Sequence, residues 1–364
     1  MLDKGRINSI QLLLILLMAD ISTSIFTVPA RVISIAGPDA WLSMLLVATV
    51  YGILVAWVVL SLSRRFPAQV FTEYLPDIVG RIPGKILAGI FAILLMHLCG
   101  GILSQGTMFV HIAFLRETPP LLLHILMIGA ACYGACLGIE VIARYNLLLF
   151  GFFSATTVLV VLLVLPEINT DNFRPFLEKG FMPVLLGGKD TGAWRGEVFL
   201  LLMFYPYLNL KQEDSHVAYG MVILAGIYTT LITMATIGTL GSEVASAQNY
   251  PVYRLARYIS IGQIIERIDI VVVIIWVAAV IIKLSIFLHA AGIAAATTLG
   301  ADDYRWPLLG AALVSVGMAL LSFGDQAQLD YFFSNIWSAY ALGIELIFPA
   351  IILLLALLLK KKGA

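Results

Sequence analysis

The chain has 364 residues, 61% of them hydrophobic and 12% charged, where soluble globular domains run at about 45–50% apolar and about 25% charged. Twenty-two basic and 22 acidic residues cancel, so no electrostatic footprint marks a nucleic acid or an anionic surface as partner. At about 20 apolar residues per bilayer crossing, ten crossings use roughly 200 residues and leave no room for a separate soluble enzyme domain.

Apolar runs bounded by Gly, Pro or charge predict ten spans, over 10–35, 40–62, 86–114, 120–138, 146–165, 195–210, 217–240, 268–297, 307–323 and 335–359. They form a single polytopic domain over 1–364, in halves of about 8–165 and 195–359. The first run is too long for a signal-peptide core and lacks a small-x-small cleavage site, so it is read as a retained span. Cys99, Cys132 and Cys136 all fall inside apolar runs and are read as packing residues rather than as a disulfide framework.

An even number of spans puts both termini on one side. Lys4, Arg6, Arg64, Arg65, Arg81, Lys85 and the tail Lys360, Lys361 and Lys362 favour the cytoplasm for that side. Several of the opposing basic residues, Lys179, Lys189 and Arg254 among them, lie in two long outer connections that the positive-inside rule weights lightly. The inner loop 63–85 contains an amphipathic stretch, Phe71 to Leu75. The outer connections 166–194 and 241–266 each have room for a short interfacial helix, the second with an apolar face of Val252, Leu255 and Ile259.

Two spans carry polar or proline interruptions, the first and the sixth. They stand five helices apart, and an odd number of spans per half makes the halves inverted, the arrangement in which interrupted helices build a midplane site. In span 1, Asp20 is followed by Ser22, Thr23, Ser24 and, further on, Pro29. The ladder is expected to open around Ser22 to Ser24 and to aim freed N–H groups at an anionic group; the alternative is a continuous kinked helix whose hydroxyls bond back to the preceding turn. In span 6, Pro206 sits between Tyr205 and Tyr207, and a break there would set Phe204, Tyr205 and Tyr207 around a cavity for an amphipathic ligand.

A charge at the bilayer centre costs about 2.5–3.5 kcal/mol on insertion scales, so each one needs a partner or a task. The residues in question are Asp20, His97, Glu197, Lys283, His289 and Glu345. Lys283 lies roughly 24 Å of helix from the outer end of span 8, too deep to snorkel. Glu197 either lines an outer vestibule or caps its own helix, and Glu345 and His289 are candidates to bond across helices. Gly101, Ser104 and Gln105 on span 3 would border a cavity, while His97 reads as a packing histidine.

Enzyme signatures are missing. Gly80 to Lys85 superficially resembles a phosphate loop but is one residue short and lacks the following Ser or Thr. No HExxH, CxxC or GxSxG pattern occurs, and neither catalysis nor a cofactor or metal is expected.

Ile7-Asn8-Ser9-Ile10-Gln11, followed by a span ending Phe26-Thr27-Val28-Pro29-Ala30-Arg31, resembles the start of spore germination receptor B subunits, a branch of the amino acid-polyamine-organocation superfamily. Further matches are Phe66-Pro67 with Glu73-Tyr74, Gly138-Ile139-Glu140-Val141-Ile142-Ala143-Arg144, Gly196-Glu197, Tyr250-Pro251, Leu255-Ala256-Arg257 and Glu266-Arg267-Ile268-Asp269 with Trp276. Together they cover nearly the whole chain in consistent order.

The resemblance implies an all-α, leucine-transporter-like integral membrane fold of two inverted five-helix repeats. It also implies a small amino acid or related amine as ligand, a receptor complex with an A subunit and a lipoprotein C subunit, and residence in the spore inner membrane. The expected ligand-binding residues between helices 1, 3, 6 and 8 are Asp20, Ser22, Thr23, Ser24, Gly101, Gln105, Phe204, Tyr205 and Tyr207. Lys283, Asp20 and Glu197 are expected as ion-site or coupling residues. Lys283 stands where related transporters hold sodium and is expected to pair with Asp20 or with freed carbonyls of helix 1. Ser22, Thr23 and Ser24 replace the glycines that many relatives show at the helix 1 break. The other reading of the same residues is an autonomous proton-coupled amino acid or amine permease.

Overall fold

The computed structural model describes residues 2–258 and 268–363. Ile259 and the Glu266-Arg267 pair of the motif above lie outside the described residues. Ten spans cross in sequence: span 1 is Ser9–Ala36, span 2 covers 40–63, span 3 is Arg81–Ala113, span 4 Pro120–Cys136 and span 5 Ile139–Val164. Span 6 covers 182–207, span 7 is Asp214–Leu240, span 8 Ile268–Leu299, span 9 Arg305–Ser322, and span 10 covers 326–358. Most of these are long and apolar enough to cross a bilayer unaided, and no strand occurs among the described residues.

In lipid the apolar side chains gain little from meeting one another, so close packing and polar contacts decide which spans touch. Span 8 packs most extensively on span 3, and span 1 lies against spans 6, 7 and 8. Small residues permit the closest approaches: Gly100 on span 3 faces the span 9 backbone at Ser315 and Ala319, and Gly292 on span 8 faces Leu308. The lipid-facing surface is apolar, with Leu313, Leu321 and Trp306 among its most exposed side chains.

Span 1 is one helix from Ser9 to Ala36, with Pro29 inside it. The expected interruption at Ser22 to Ser24 is therefore corrected. Without glycine the chain keeps its helical geometry, and the hydroxyls turn inward: Thr27 Oγ1 donates to the Thr23 carbonyl at 3.0 Å and Ser24 Oγ to Asp20 at 3.3 Å. An Asn8–Gln11 capping box closes the start of the helix.

The regular α-helix of span 6 is interrupted, but elsewhere than expected, and the chain stays helical through this break. A regular helix Met182–Arg195 gives way to a tighter turn over Gly196–Leu200, then to a short helix Leu201–Phe204 and a last turn Tyr205–Tyr207. The span thus begins at 182, not 195, and its break lies at Gly196, not at Pro206. Pro206 sits at the span's end, where a missing donor costs little.

Both termini lie on one face. Ile7 pairs with the end of span 6, its N–H donating to Tyr207 O and its carbonyl accepting from Asn209, each at 3.0 Å. Gly363 donates to Arg65 O at 2.8 Å. The amphipathic stretch after span 2 is a helix, Phe71–Val79, whose Phe71 packs edge-on to Phe91 and Phe348. Of the long connections, 166–194 contains the first half of span 6, and the other carries the short helices Ser242–Ser246 and Pro251–Tyr258, with Val252 and Leu255 buried.

Gly188 of span 6 lies so close to Val47 of span 2 that an added Cβ overlaps its side chain, whereas Gly310 of span 9 faces open space. Gly188→Leu is expected to cost about 1–3 kcal/mol by overpacking, read as a lower thermal midpoint in detergent, while Gly310→Leu leaves the midpoint unchanged.

Candidate functional site

Five ionisable side chains meet at mid-depth, all buried: Asp20 on span 1, Arg195 and Glu197 at the break of span 6, Lys283 on span 8 and Glu345 on span 10. Arg195 Nη1 donates to Asp20 Oδ2 at 2.6 Å, and its Nη2 donates to Thr229 Oγ1 on span 7 at 2.8 Å. Lys283 Nζ donates to Glu197 Oε1 at 2.8 Å and to Thr23 Oγ1 at 2.9 Å. Tyr51 on span 2 donates its hydroxyl to Glu345 Oε2 at 3.3 Å.

This geometry revises several expectations. Lys283 pairs with Glu197 and the Thr23 hydroxyl, not with Asp20 or with span 1 carbonyls; an unbroken span 1 frees no carbonyls. Asp20 belongs to Arg195, which the sequence placed at the outer end of span 6. Glu197 is not a vestibule or capping residue, because span 6 starts fourteen residues before the break and carries it to mid-depth. Glu345 and His289 do not bond each other: His289 Nε2 lies 3.3 Å from Asp3 and its Nδ1 3.2 Å from Ala135 O. His97 is a packing residue among Phe323, Phe332 and Tyr340, with Nδ1 3.1 Å from the Tyr340 hydroxyl.

Phe204, Tyr205 and Tyr207 also lie away from this cluster. They are buried at the terminal face, where Tyr205 donates to Asp214 at 2.8 Å and Arg64 holds the same carboxylate with Nε and Nη2 at 2.8 and 2.6 Å. Arg6 Nη1 donates to Pro206 O at 2.7 Å, and Lys211 donates to Pro67 O. These aromatics seal an end of the molecule instead of lining a cavity.

Gly101 and Gln105 do border a cavity, as does the Glu197–Lys283 pair. It measures about 20 Å³ and is walled by Trp194, Phe287, Phe323, Phe333 and Trp337. That volume holds about one water, so the site is closed to a ligand the size of an amino acid. Gln105, Trp194 and Phe333 form a partition whose other side is a polar vestibule of about 200 Å³ with Arg31, Gln248 and Asn249 in its wall. Trp194 stacks on Phe333 at 5.6 Å between ring centres. Above the partition Arg31 grips Asp190 with Nε and Nη2 at 2.8 and 3.0 Å, and Ser338 donates to the same carboxylate at 2.8 Å. Toward the terminal face, Phe199 packs edge-on to Phe91 and Phe91 edge-on to Phe71.

The pairs are not fully saturated. Glu197 Oε2 is buried without a donor, as are Ser22 Oγ and, lacking an acceptor, Arg195 Nε. Lys283 uses two of its three N–H donors. Glu197 and Lys283, two residues of opposite charge on the cavity lining, thus retain one unused acceptor and one unused donor. Arg195 and the span 6 helix start are the features that sequence reasoning missed; Lys189, Asp190 and Arg195 lower the hydropathy of the first half-span until it reads as loop.

Removing one member of a buried pair strands the other at a cost of about 3–5 kcal/mol. Arg195→Met is expected to collapse the thermal midpoint and yield of purified protein. The double variant Arg195→Met with Asp20→Asn should recover most of that loss; a double variant no better than the sum of the singles would show that the pair does not hold spans 1 and 6 together.

Residues 6–328 match the family described as spore germination protein. Curated relatives include spore germination protein KB of Bacillus subtilis (strain 168), 23% identical over 99% of this chain and 97% of the relative. Spore germination protein XB of Bacillus anthracis is 28% identical over 69% of this chain and 70% of the relative. Among solved structures, MhsT in complex with L-phenylalanine superposes with a TM-score of 0.68 at 12% identity, covering 97% of this chain and 99% of that one. Mhp1, a nucleobase-cation-symport-1 family transporter in a closed conformation with bromovinylhydantoin bound, gives 0.67 at 14%, covering 98% and 80%. The fold is that of the leucine-transporter class, in a multi-pass membrane protein, and the chain belongs to the spore germination protein family.

Proposed function

We propose that this chain is the nutrient-sensing subunit of a spore germination receptor, binding a small amino acid at mid-depth between spans 1, 3, 6 and 8 and signalling to partner subunits. The observation that carries the reading is the unsaturated Glu197–Lys283 pair at the edge of the closed cavity. A zwitterion fits both ends: its ammonium goes to Glu197 Oε2, and its carboxylate takes the remaining Lys283 N–H and competes with Glu197 for the others. Asp20 is held by Arg195 and so acts on the ligand through span 6. Thr23 bonds Lys283 from span 1, and Gly101, Gln105, Trp194 and Phe333 enclose the ligand's apolar end.

Because the cavity is closed, binding requires the Trp194–Phe333 partition to part, and re-closure around the ligand is the event that shifts the equilibrium read by partners. Membership of the spore germination protein family supports a role in germination; on this reading the chain works in a receptor assembly with an A subunit and a lipoprotein C subunit. On the same reading it resides in the spore inner membrane, with both termini cytoplasmic by the positive-inside asymmetry. A second reading, an autonomous amino acid permease, is favoured by the transporter fold.

Thermal-shift screening of the purified protein against an amino acid panel is expected to find a ligand that raises the midpoint, with the shift abolished in Lys283→Met. A panel without any stabilising ligand would overturn the binding reading. Labelled ligand and protein-containing liposomes separate the two roles: the sensor binds without concentrative uptake, and robust uptake in the absence of partners establishes the permease.

A further inference from the structure

The mid-depth cluster has three carboxylates and two cations. Arg195 is bonded to Asp20 and Lys283 to Glu197, which leaves Glu345, buried to 2% exposure, with the Tyr51 hydroxyl as its hydrogen-bond partner. The groups that face it are Tyr51 from span 2, the Gly196-Glu197 break of span 6, Asp20 from span 1 and, further off, Lys283 from span 8. Two of these neighbours are themselves carboxylates. An ionised carboxylate at membrane depth, without a cation and beside like charges, is far too costly to persist.

The carboxyl lies directly on the backbone of span 6: a Cβ built on Gly196 overlaps it, so the bare glycine leaves the space that Glu345 occupies. Span 10 departs from regular helix twice, widening into π turns over Phe332–Ile336 and, at Glu345 itself, over Leu342–Ile347. Such turns add a residue to the helical ring and give the span two places to re-pack. The first carries Phe333 of the partition, and the second carries Glu345.

We propose that Glu345 is a proton-binding site, holding a proton in the closed state and releasing it as span 10 parts from the break of span 6. With the proton in place the cluster is neutral: two ion pairs and one carboxylic acid. Release leaves an uncompensated charge beside Glu197, and the repulsion falls on the span that carries Phe333 and Trp337, the cavity wall. Proton occupancy and opening of the wall are then two readings of one equilibrium. This inference stands on the charge count and on the Gly196 contact, and it holds whatever ligand the cavity takes.

Infrared spectroscopy of the full-length protein in liposomes tests it directly. At neutral pH the wild type is expected to show the carbonyl stretch of a protonated carboxylic acid; Glu345→Gln loses that band, whereas Asp20→Asn and Glu197→Gln keep it. As pH is raised until the band disappears, amide hydrogen exchange over 332–347, corrected for its intrinsic pH dependence, should increase in the wild type and stay flat in Glu345→Gln. Absence of the band from the wild type at neutral pH overturns the proposal even if the variant does not fold. Persistence of the band in Glu345→Gln, or an equal rise of exchange in both proteins, also overturns it.

Discussion

Charge inside a bilayer must be paired, and the Arg195–Asp20 and Lys283–Glu197 bonds are where this protein meets that requirement. Each joins a residue at the break of span 6 to a neighbouring span, Asp20 on span 1 and Lys283 on span 8. Because apolar contact gives little net drive for helix association in lipid, these bonds and the glycine contacts at Gly188 and Gly196 define the relative placement of the central spans. A buried ion pair is weak evidence of added stability. Its stronger consequence is specificity: only the register of span 6 that delivers Arg195 and Glu197 together to mid-depth satisfies both partners.

The break in span 6 and the unbroken span 1 follow from the same economy. Gly196 allows a turn that presents Arg195 toward span 1 and Glu197 toward span 8, and it leaves room for Glu345 behind the backbone. Span 1 offers side-chain hydroxyls instead of opened backbone, so Thr23 Oγ1 reaches Lys283 where a freed carbonyl was expected. The site is therefore built mainly from side chains. Its aromatic packing is equally local: Trp194 on Phe333 toward one face, Phe199 on Phe91 toward the other.

Ten spans, the shared side of the termini, the amphipathic helix after span 2 and the family were all legible in the sequence, because hydrophobic run length and loop charge register them directly. Gly101, Gln105, Glu197 and Lys283 were also legible as residues that lipid penalises or that permit close approach. The span 6 start was hidden because a half-span holding Lys189, Asp190 and Arg195 has the composition of a loop; its charges are cancelled by residues more than a hundred positions away, such as Arg31 and Asp20. Pro206 misled for the opposite reason. Proline announces a break wherever it stands, yet at the end of a span its missing donor changes little, while Gly196 announces nothing and accommodates the real one.

The central claim is that the Glu197–Lys283 pair, enclosed behind the Trp194 partition, is where the ligand's charged groups bind. A high-resolution structure of the protein with its ligand bound tests this most directly. The account predicts density in an enlarged cavity, with an ammonium on Glu197 Oε2 and a carboxylate on Lys283 Nζ. Ligand density outside that cavity, with the pair and its closed walls unchanged, would contradict it.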